Sequence, residues 1–563
     1  MSAVLAAREP SARYLETVQP PLVRQFELLA TAPGGVARLR ELILALAVQG
    51  KVVQQDSDDE PASELLRRIR AERAALVAAG SIKQGKPSAP ISPEEEPCSL
   101  PRGWAWVRFG DLIHDLCTGP FGSLIHKEDY VNGGVPLINP SHMIDGRIEH
   151  DPAVSVSASM ASQLSAYRLS VGDVLLARRG EMGRYALVTE REAGWLCGTG
   201  SFFLKLSKAY DRRFFGLTLE DPRLRRHLLG ESVGATMTNL NQRILLDVVV
   251  AVAPLAEQAR IVARVDELMR LCDAVEAKGR LEAEQHARLL GTLLGTLTGS
   301  TTPNELATNW HRVAEHFDLL LDRPEAVDAL EQTILKLAMR GLLVLQDPRE
   351  MPAVATSSAK MDFPIPSNWK SVALAAVCSL ITDGEHATPE RCSDVTQVPL
   401  VTAKNVRSEH MDWRNTDFVP RAVAQSCWKR CKPQPNDILM VSVGATLGRL
   451  AILVDDLEMV LVRSVTVVRP DESLVNVSYL ALHLMSPGTQ DEIWASVKQS
   501  AQPCLYLSKS AALRIALPPL AEQARIVARV TELRRLCADL RQRLAACLAT
   551  HERLADALVA TCS

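Results

Sequence analysis

The sequence predicts an α+β protein in which two tandem domains are separated by long antiparallel coiled-coil helices, an internal duplication with pseudo-two-fold symmetry. Three observations predict it. The stretch PLAEQARIVARV stands unchanged at residues 254–265 and 519–530, an offset of 265. Apolar residues at helical spacing follow each copy. Ahead of each copy lie short β-type runs broken by Gly-rich turns.

Residues 1–100 read as an N-terminal helical region. Its helix, about 34–50, sets Val36, Leu39, Ile43 and Leu46 on one face, with Pro33 ahead of it and Gly50 where a C-terminal cap belongs; 51–100 is linker. The pattern returns 291 residues later as Val327, Leu330, Ile334 and Leu337 between Pro324 and Gly341. The two offsets differ by 26, so the second copy lacks 26 residues that the first holds within 51–100. The first globular domain spans 101–253, the second 366–518. Pro101, Trp104, Val107 and Gly119 of the first return as Pro366, Trp369, Val372 and Gly384. VPLI and GDVLLARRGEMGR return as VPLV and NDILMVSVGATLGR. Residues 254–345 form a central helical spacer, 346–365 a linker and 519–563 a C-terminal coiled-coil helix.

In that last helix Ile526, Val530, Leu533, Cys537, Leu540, Leu544, Cys547, His551, Leu554 and Leu558 alternate spacings of four and three, an a/d seam. The first copy keeps Ile261, Val265, Leu268, Cys272, Val275, His286, Leu289 and Leu293. A narrow seam needs a partner to bury it, and antiparallel pairing between helices of the two repeats is the economical solution. About 40 residues make a rod of roughly 60 Å. His286 and His551, equivalent on the seam, read as polar residues fixing register.

Composition narrows the function. The 563 residues carry 63 Lys+Arg against 66 Asp+Glu, a net charge of −3, and 47% are hydrophobic. That suggests roughly three to five folding units and excludes both a disordered chain and one that coats nucleic acid through bulk charge. No apolar run approaches the roughly 20 residues of a membrane span, and the N-terminus does not read as a secretory signal. Twelve Cys without CxxC pairs read as reduced cytosolic thiols, with no metal site. Charge is instead local: residues 205–226 and 402–432 each hold seven basic against three acidic residues, interleaved with aromatics and His, which suits phosphate contacts. Catalytic signatures are missing. GSIKQGKP at 80–87 has Pro87 where a phosphate-binding loop needs a hydroxyl, NPSH at 139–142 is not a methyltransferase motif, and Glu276-Ala-Lys278 lies within the helical seam segment.

LRELILALAVQGKVV, DDEPASELLRRI, LPRGWAWVRFGDL, TGPFGSLIHKEDYVNGGVPLI, GDVLLARRGEMGR and PLAEQARIVARVDEL occur in that order. IPSNWKSVAL, TDGEHATP, VPLVTAKNV, NDILMVSVGATLGR and PLAEQARIVARVTEL follow in the second half. Over most of its length the chain thereby resembles the specificity subunit of type I restriction-modification systems. It departs at Lys370 and Ala373 in the second opening, and residues 1–20 match nothing in the family pattern. The resemblance implies two target recognition domains, each reading one half of a split and asymmetric duplex DNA target, held apart by helices that also dock partners. Those partners are double-stranded DNA, two methyltransferase subunits and restriction translocase-endonuclease subunits, in a prokaryotic cytoplasm and without a membrane. It implies no catalysis and no cofactor in this chain; S-adenosylmethionine, ATP and Mg belong to the partners. DNA-contact candidates are Ser123, Lys127, Asn139, Arg178 and Arg179, then His386, Thr388, Lys404, Asn405 and Arg407. Candidates for spacing and docking are Ile261, Val265, Leu268, Ile334, Leu337, Ile526, Val530, Leu533 and Leu540. The alternatives are the recognition module of a fused methyltransferase-nuclease and a helical scaffold that binds only protein.

Overall fold

The computed structural model describes residues 29–30, 32–85, 87–120, 124–180, 182–230, 240–354, 360–497 and 503–562. Contacts divide the chain into two compact units, residues 1–280 with 548–563 and residues 281–547. Length alone suggested three to five. Two result because most of the helices' apolar faces join the cores of the domains, a small cluster of Leu29, Ala32 and Ala555 apart. Leu39, Ile43, Val107, Phe214, Ile261 and Val265 share one cluster, and Ile334, Trp369, Tyr479, Ile526 and Val530 share another.

In the first unit the domain is closed at its own ends. Strand Ala105–Arg108 pairs antiparallel with Val249–Val252, Ala105 opposite Val252, so the chain leaves the domain where it enters. The long helix Leu255–Gly299 starts three residues later. The main sheet is antiparallel, in the order Ile113–Thr118, Ser201–Leu206, Val174–Ala177, Tyr185–Leu187. A smaller sheet is built on Val135–Ile138, with Leu196–Cys197 parallel to it and Ser155–Val156 antiparallel. Val174–Ala177 is buried throughout, as a four-residue apolar run in mid-sheet requires.

The second unit repeats this frame. Lys370–Ala373 pairs with Arg514–Leu517. The main sheet runs Cys378–Asp383, Val465–Pro470, Ile438–Val441, Leu450–Ile452. The smaller one centres on Val398–Val401, with Val460–Leu461 parallel to it. The duplicated motifs are thus a duplicated strand order. The glycine shared by both copies has a steric reason: a Cβ on Gly119 would lie 2.1 Å from the Gly198 carbonyl oxygen, and one on Gly384 would lie 2.1 Å from that of Leu461.

The N-terminal helix, Gly35–Ala47, and its equivalent, Pro324–Met339, stand where the apolar spacing puts them. Within the first copy's extra 26 residues lies a helix, Ala62–Ala78, with no counterpart among the described residues of 342–365. It buries Leu65, Leu66 and Ile69 in the first domain's core, and Glu72 accepts a hydrogen bond from the Ser207 hydroxyl.

The long helices, Leu255–Gly299 and Leu520–Cys562, bury the predicted seam at its start and keep Leu293, Leu544 and Leu558 half-buried, but turn other seam positions outward. Ile261, Val265 and Cys272 are buried, as are Ile526, Val530 and Cys537. Leu289 and Leu554 are exposed, at 54% and 47%, while Leu290 and Ala555 are buried. The correction has a geometric cause. A seven-residue repeat drifts about 20° per heptad on a straight α-helix, so four heptads beyond Ile261 or Ile526 the buried face has moved on by almost one residue. Among the described residues no helix is long and apolar enough to cross a membrane.

Candidate nucleic-acid interface

The repeated Pro-Leu-Ala-Glu-Gln is a joint between domain and helix. The buried Glu257 carboxylate accepts hydrogen bonds from Trp104 Nε1 at 2.9 Å and Gln55 Nε2 at 2.6 Å. Glu522 accepts them from Trp369 Nε1 at 3.0 Å and Gln346 Nε2 at 2.6 Å. Burial raises both carboxyls above the usual range, and these donors oppose the rise. Gln258 donates to the Ala253 carbonyl and accepts from the Asp211 N–H; Gln523 donates to that of Pro518 and accepts from the Asn476 N–H. Arg260 pairs with Asp59, and Arg525 with Glu350. Gly50 and Gly341, both at positive φ, leave room for the opening: a Cβ would lie 2.7 Å from the Trp104 ring and 2.4 Å from Pro366. Buried polar groups that must all be satisfied tolerate little substitution, which accounts for the unchanged repeat.

The same packing corrects the docking candidates. Ile261, Val265, Ile334, Leu337, Ile526 and Val530 are buried inside their own unit, and Leu268, Leu533 and Leu540 are half-buried at its core. None of the six buried side chains is free to meet a docked subunit. The apolar positions left exposed in both long helices are Leu271 and Leu536, at 54% and 53%, with Leu289 and Leu554.

At one end of the first domain's main sheet several loops converge. Arg178 follows the strand Val174–Ala177, donates its N–H to the Gly200 carbonyl and accepts from the Leu240 N–H, both at 2.9 Å. Asn139 ends Val135–Ile138, and its Oδ1 lies against Gly198, where a Cβ would be 2.3 Å away. A Cβ on Gly200 would touch Pro140 and Arg179. Asn139, Arg178 and Arg179 are therefore brought together on one rim. Lys127 is exposed on the turn Lys127–Asp129, and among the described contacts none joins it to that rim. Ser123 lies outside the described residues.

The second domain has the same rim with other residues on it. Ser442 takes the place of Arg178: its N–H donates to the Ser464 carbonyl, and its carbonyl accepts from the Leu505 N–H. His386, exposed, is 2.9 Å from Asp383, which also takes an ion pair from Arg430. Thr388 is exposed in the loop beyond. Lys404 is paired with Asp417 at 2.9 Å and Arg407 with Asp412 at 3.3 Å. Asn405 is a correction. It is fully buried, its Oδ1 accepts from the Thr402 N–H at 3.0 Å, and its Nδ2 donates to the Asp412 carbonyl at 3.1 Å and to Thr416 Oγ1 at 3.2 Å. It holds a turn, as the buried His142 does in the first domain by accepting the Asn139 N–H. Thr402, not Asn405, is therefore the counterpart of Asn139. Arg463, exposed and without an ion pair among the described residues, is a rim cation that the search for charge clusters missed.

The two basic windows are not bare patches. Lys205, Arg213 and Arg223 pair with Asp173, Asp266 and Asp221; Arg421 and Lys432 share Glu458. Six of the seven basic residues in the second window, and three of the seven in the first, are held in described ion pairs. The eleven cysteines from Cys98 to Cys547 have free thiols, and no cluster of potential metal ligands occurs among the described residues.

The chain is similar in sequence to known proteins over most of its length. The family described as the type I restriction modification DNA specificity domain matches twice, over residues 101–285 and 366–548. The specificity subunits of the Escherichia coli type I restriction enzymes EcoAI and EcoEI are each 29% identical, over 564 and 576 residues, covering 93% of this chain and 93% of each relative. Among solved structures, a chain from work on complex assembly and conformational transition of the type I R-M system aligns at 20% identity and a TM-score of 0.47, covering 83% of this chain and 99% of that one. The HsdS subunit from Thermoanaerobacter tengcongensis aligns at 20% identity and a TM-score of 0.37, covering 83% and 98%. Each family match starts at a Pro-x-x-Trp opening, crosses the glutamate joint and ends within a long helix, and together they cover more than half of the sequence. The chain belongs to the type I restriction-modification DNA specificity family.

Proposed function

We propose that this chain is the subunit that selects the DNA target of a type I restriction-modification complex, each domain reading one half of an asymmetric, bipartite duplex site. The observation that carries this reading is a constant frame with unlike rims: the same strand order in both domains presents Arg178 or Ser442, Asn139 or Thr402, and Thr199 or Arg463. Base edges in the major groove are read by such side chains, whereas the frame contributes only position.

The long helices are the spacers in this reading, paired antiparallel so that the duplication has pseudo-two-fold symmetry. At 45 and 43 residues each is long enough to span rather under two turns of duplex. Two copies of a methyltransferase subunit dock on the helices, one per repeat; Leu271 and Leu536, exposed at equivalent positions, support a duplicated docking face. Restriction subunits join that complex. S-adenosylmethionine, ATP and Mg act in the partners, and this chain selects the site without cutting or methylating it. Gel-shift titration of the chain with its methyltransferase tests the reading: one duplex sequence is preferred over random competitor DNA, and equal binding to all duplexes refutes it.

A further inference from the structure

Arg178 is half-buried, unlike the exposed Lys127 and Arg463. Lys404, Arg407 and Arg430 each lie against a carboxylate, but Arg178 has no carboxylate partner among the described residues. Its Nε is buried without a hydrogen-bond partner. Its guanidinium carbon lies 5.3 Å from the centroid of the buried Phe202 ring. Both backbone polar groups are bonded, to Gly200 and Leu240, so the stem cannot swing with the loop. Burial and the neighbouring Arg179 both disfavour its charge. Among the described residues this partly desolvated cation is thus compensated only by the face of the Phe202 ring. A ligand with acceptors in the plane of the guanidinium, set against its terminal amino groups, offsets that desolvated charge.

We propose that Arg178 is a specificity-determining residue that reads a guanine through its O6 and N7 edge in the half-site contacted by the first domain, and that the second domain has no equivalent reader at this position. The inference rests on the DNA-selection reading and adds a base to it. A phosphate contact needs a charge within reach, which exposed flexible side chains provide. A base edge needs a planar fork held in a fixed orientation, which the cation–π contact with Phe202 and the two backbone bonds favour. At the corresponding place Ser442 is buried and its hydroxyl donates to the Arg463 carbonyl at 3.2 Å, so no fork is presented there. The guanine requirement therefore falls in one half of the target only.

The test uses the full chain with its methyltransferase and a duplex library randomised over both half-sites, sequenced after selection by binding. The unaltered complex enriches a motif with an invariant guanine at one position of one half. With Arg178→Ala that position becomes degenerate and the other half is unchanged, while affinity for the parent duplex falls about tenfold or more. Replacing that guanine by 7-deazaguanine lowers binding of the unaltered protein to a similar extent, a measurement independent of whether the variant folds. An unchanged motif with uniformly weaker binding, and a salt dependence reduced by about one phosphate contact, overturns the proposal and leaves the DNA-selection reading standing. Enrichment of no motif by the unaltered complex overturns both.

Discussion

Glu257 and Glu522 show what single residues do in this molecule. Each saturates a Trp and a Gln donor in a dry joint, so removal of Glu522 orphans two buried N–H groups. Glu522→Ala is expected to destabilise by about 2–5 kcal/mol in denaturant titration. Glu552→Ala, which breaks the exposed pair with Arg38, changes stability by about 1 kcal/mol at most; equal effects contradict the joint. His483 carries a pH dependence. Fully buried, it accepts the Ala516 N–H at Nε2 and contacts Thr489 Oγ1 through Nδ1, and burial lowers its pKa from 6.5 to about 4. The fold favours neutral His483, so its contribution is intact above pH 6.5 and is lost as pH falls through about 4. Acid denaturation monitored from pH 7 to 4 should show this loss, and His483→Gln should remove it; an identical profile for the variant contradicts the assignment. The first domain has Thr218 at that place, so its acid response lacks this component.

At the scale of elements, strand runs, the paired glycines and the positions of the N-terminal helices were legible because period, positive φ and steric closure leave direct marks on sequence. The far half of the seam was not. A heptad count assumes continuous supercoiling, whereas the helices bury Leu290 and Ala555 in place of Leu289 and Leu554. Leu294→Ala, at a buried position, is expected to cost about 2–5 kcal/mol. Leu289→Ala, at an exposed one, should stay within about 0.5 kcal/mol. Comparable thermal shifts for the two would restore the original seam. The rim was legible in part. Aligning VPLI with VPLV puts His142 and Asn405 four residues past each strand, a signal that both hold turns; residue type alone made Asn405 look like a DNA contact. Arg463 escaped because one exposed arginine leaves no charge window.

For the whole molecule, near-zero net charge hid the property that matters, yet the local windows were no better guide, since described ion pairs take up six of the seven basic residues in the second window and three of the seven in the first. What separates the two domains is the identity of a few rim residues on a common frame. Deleting one heptad from the equivalent middles of both long helices is expected to shorten the tolerated gap between half-sites or abolish binding; an unchanged gap in a footprint contradicts the spacer role. The central claim is met most directly by sequencing methylated bases in DNA from cells that express this chain with its methyltransferase. One bipartite motif with unlike halves separated by an unspecified gap is expected. A contiguous motif, a palindrome with identical halves or methylation without a motif would contradict it.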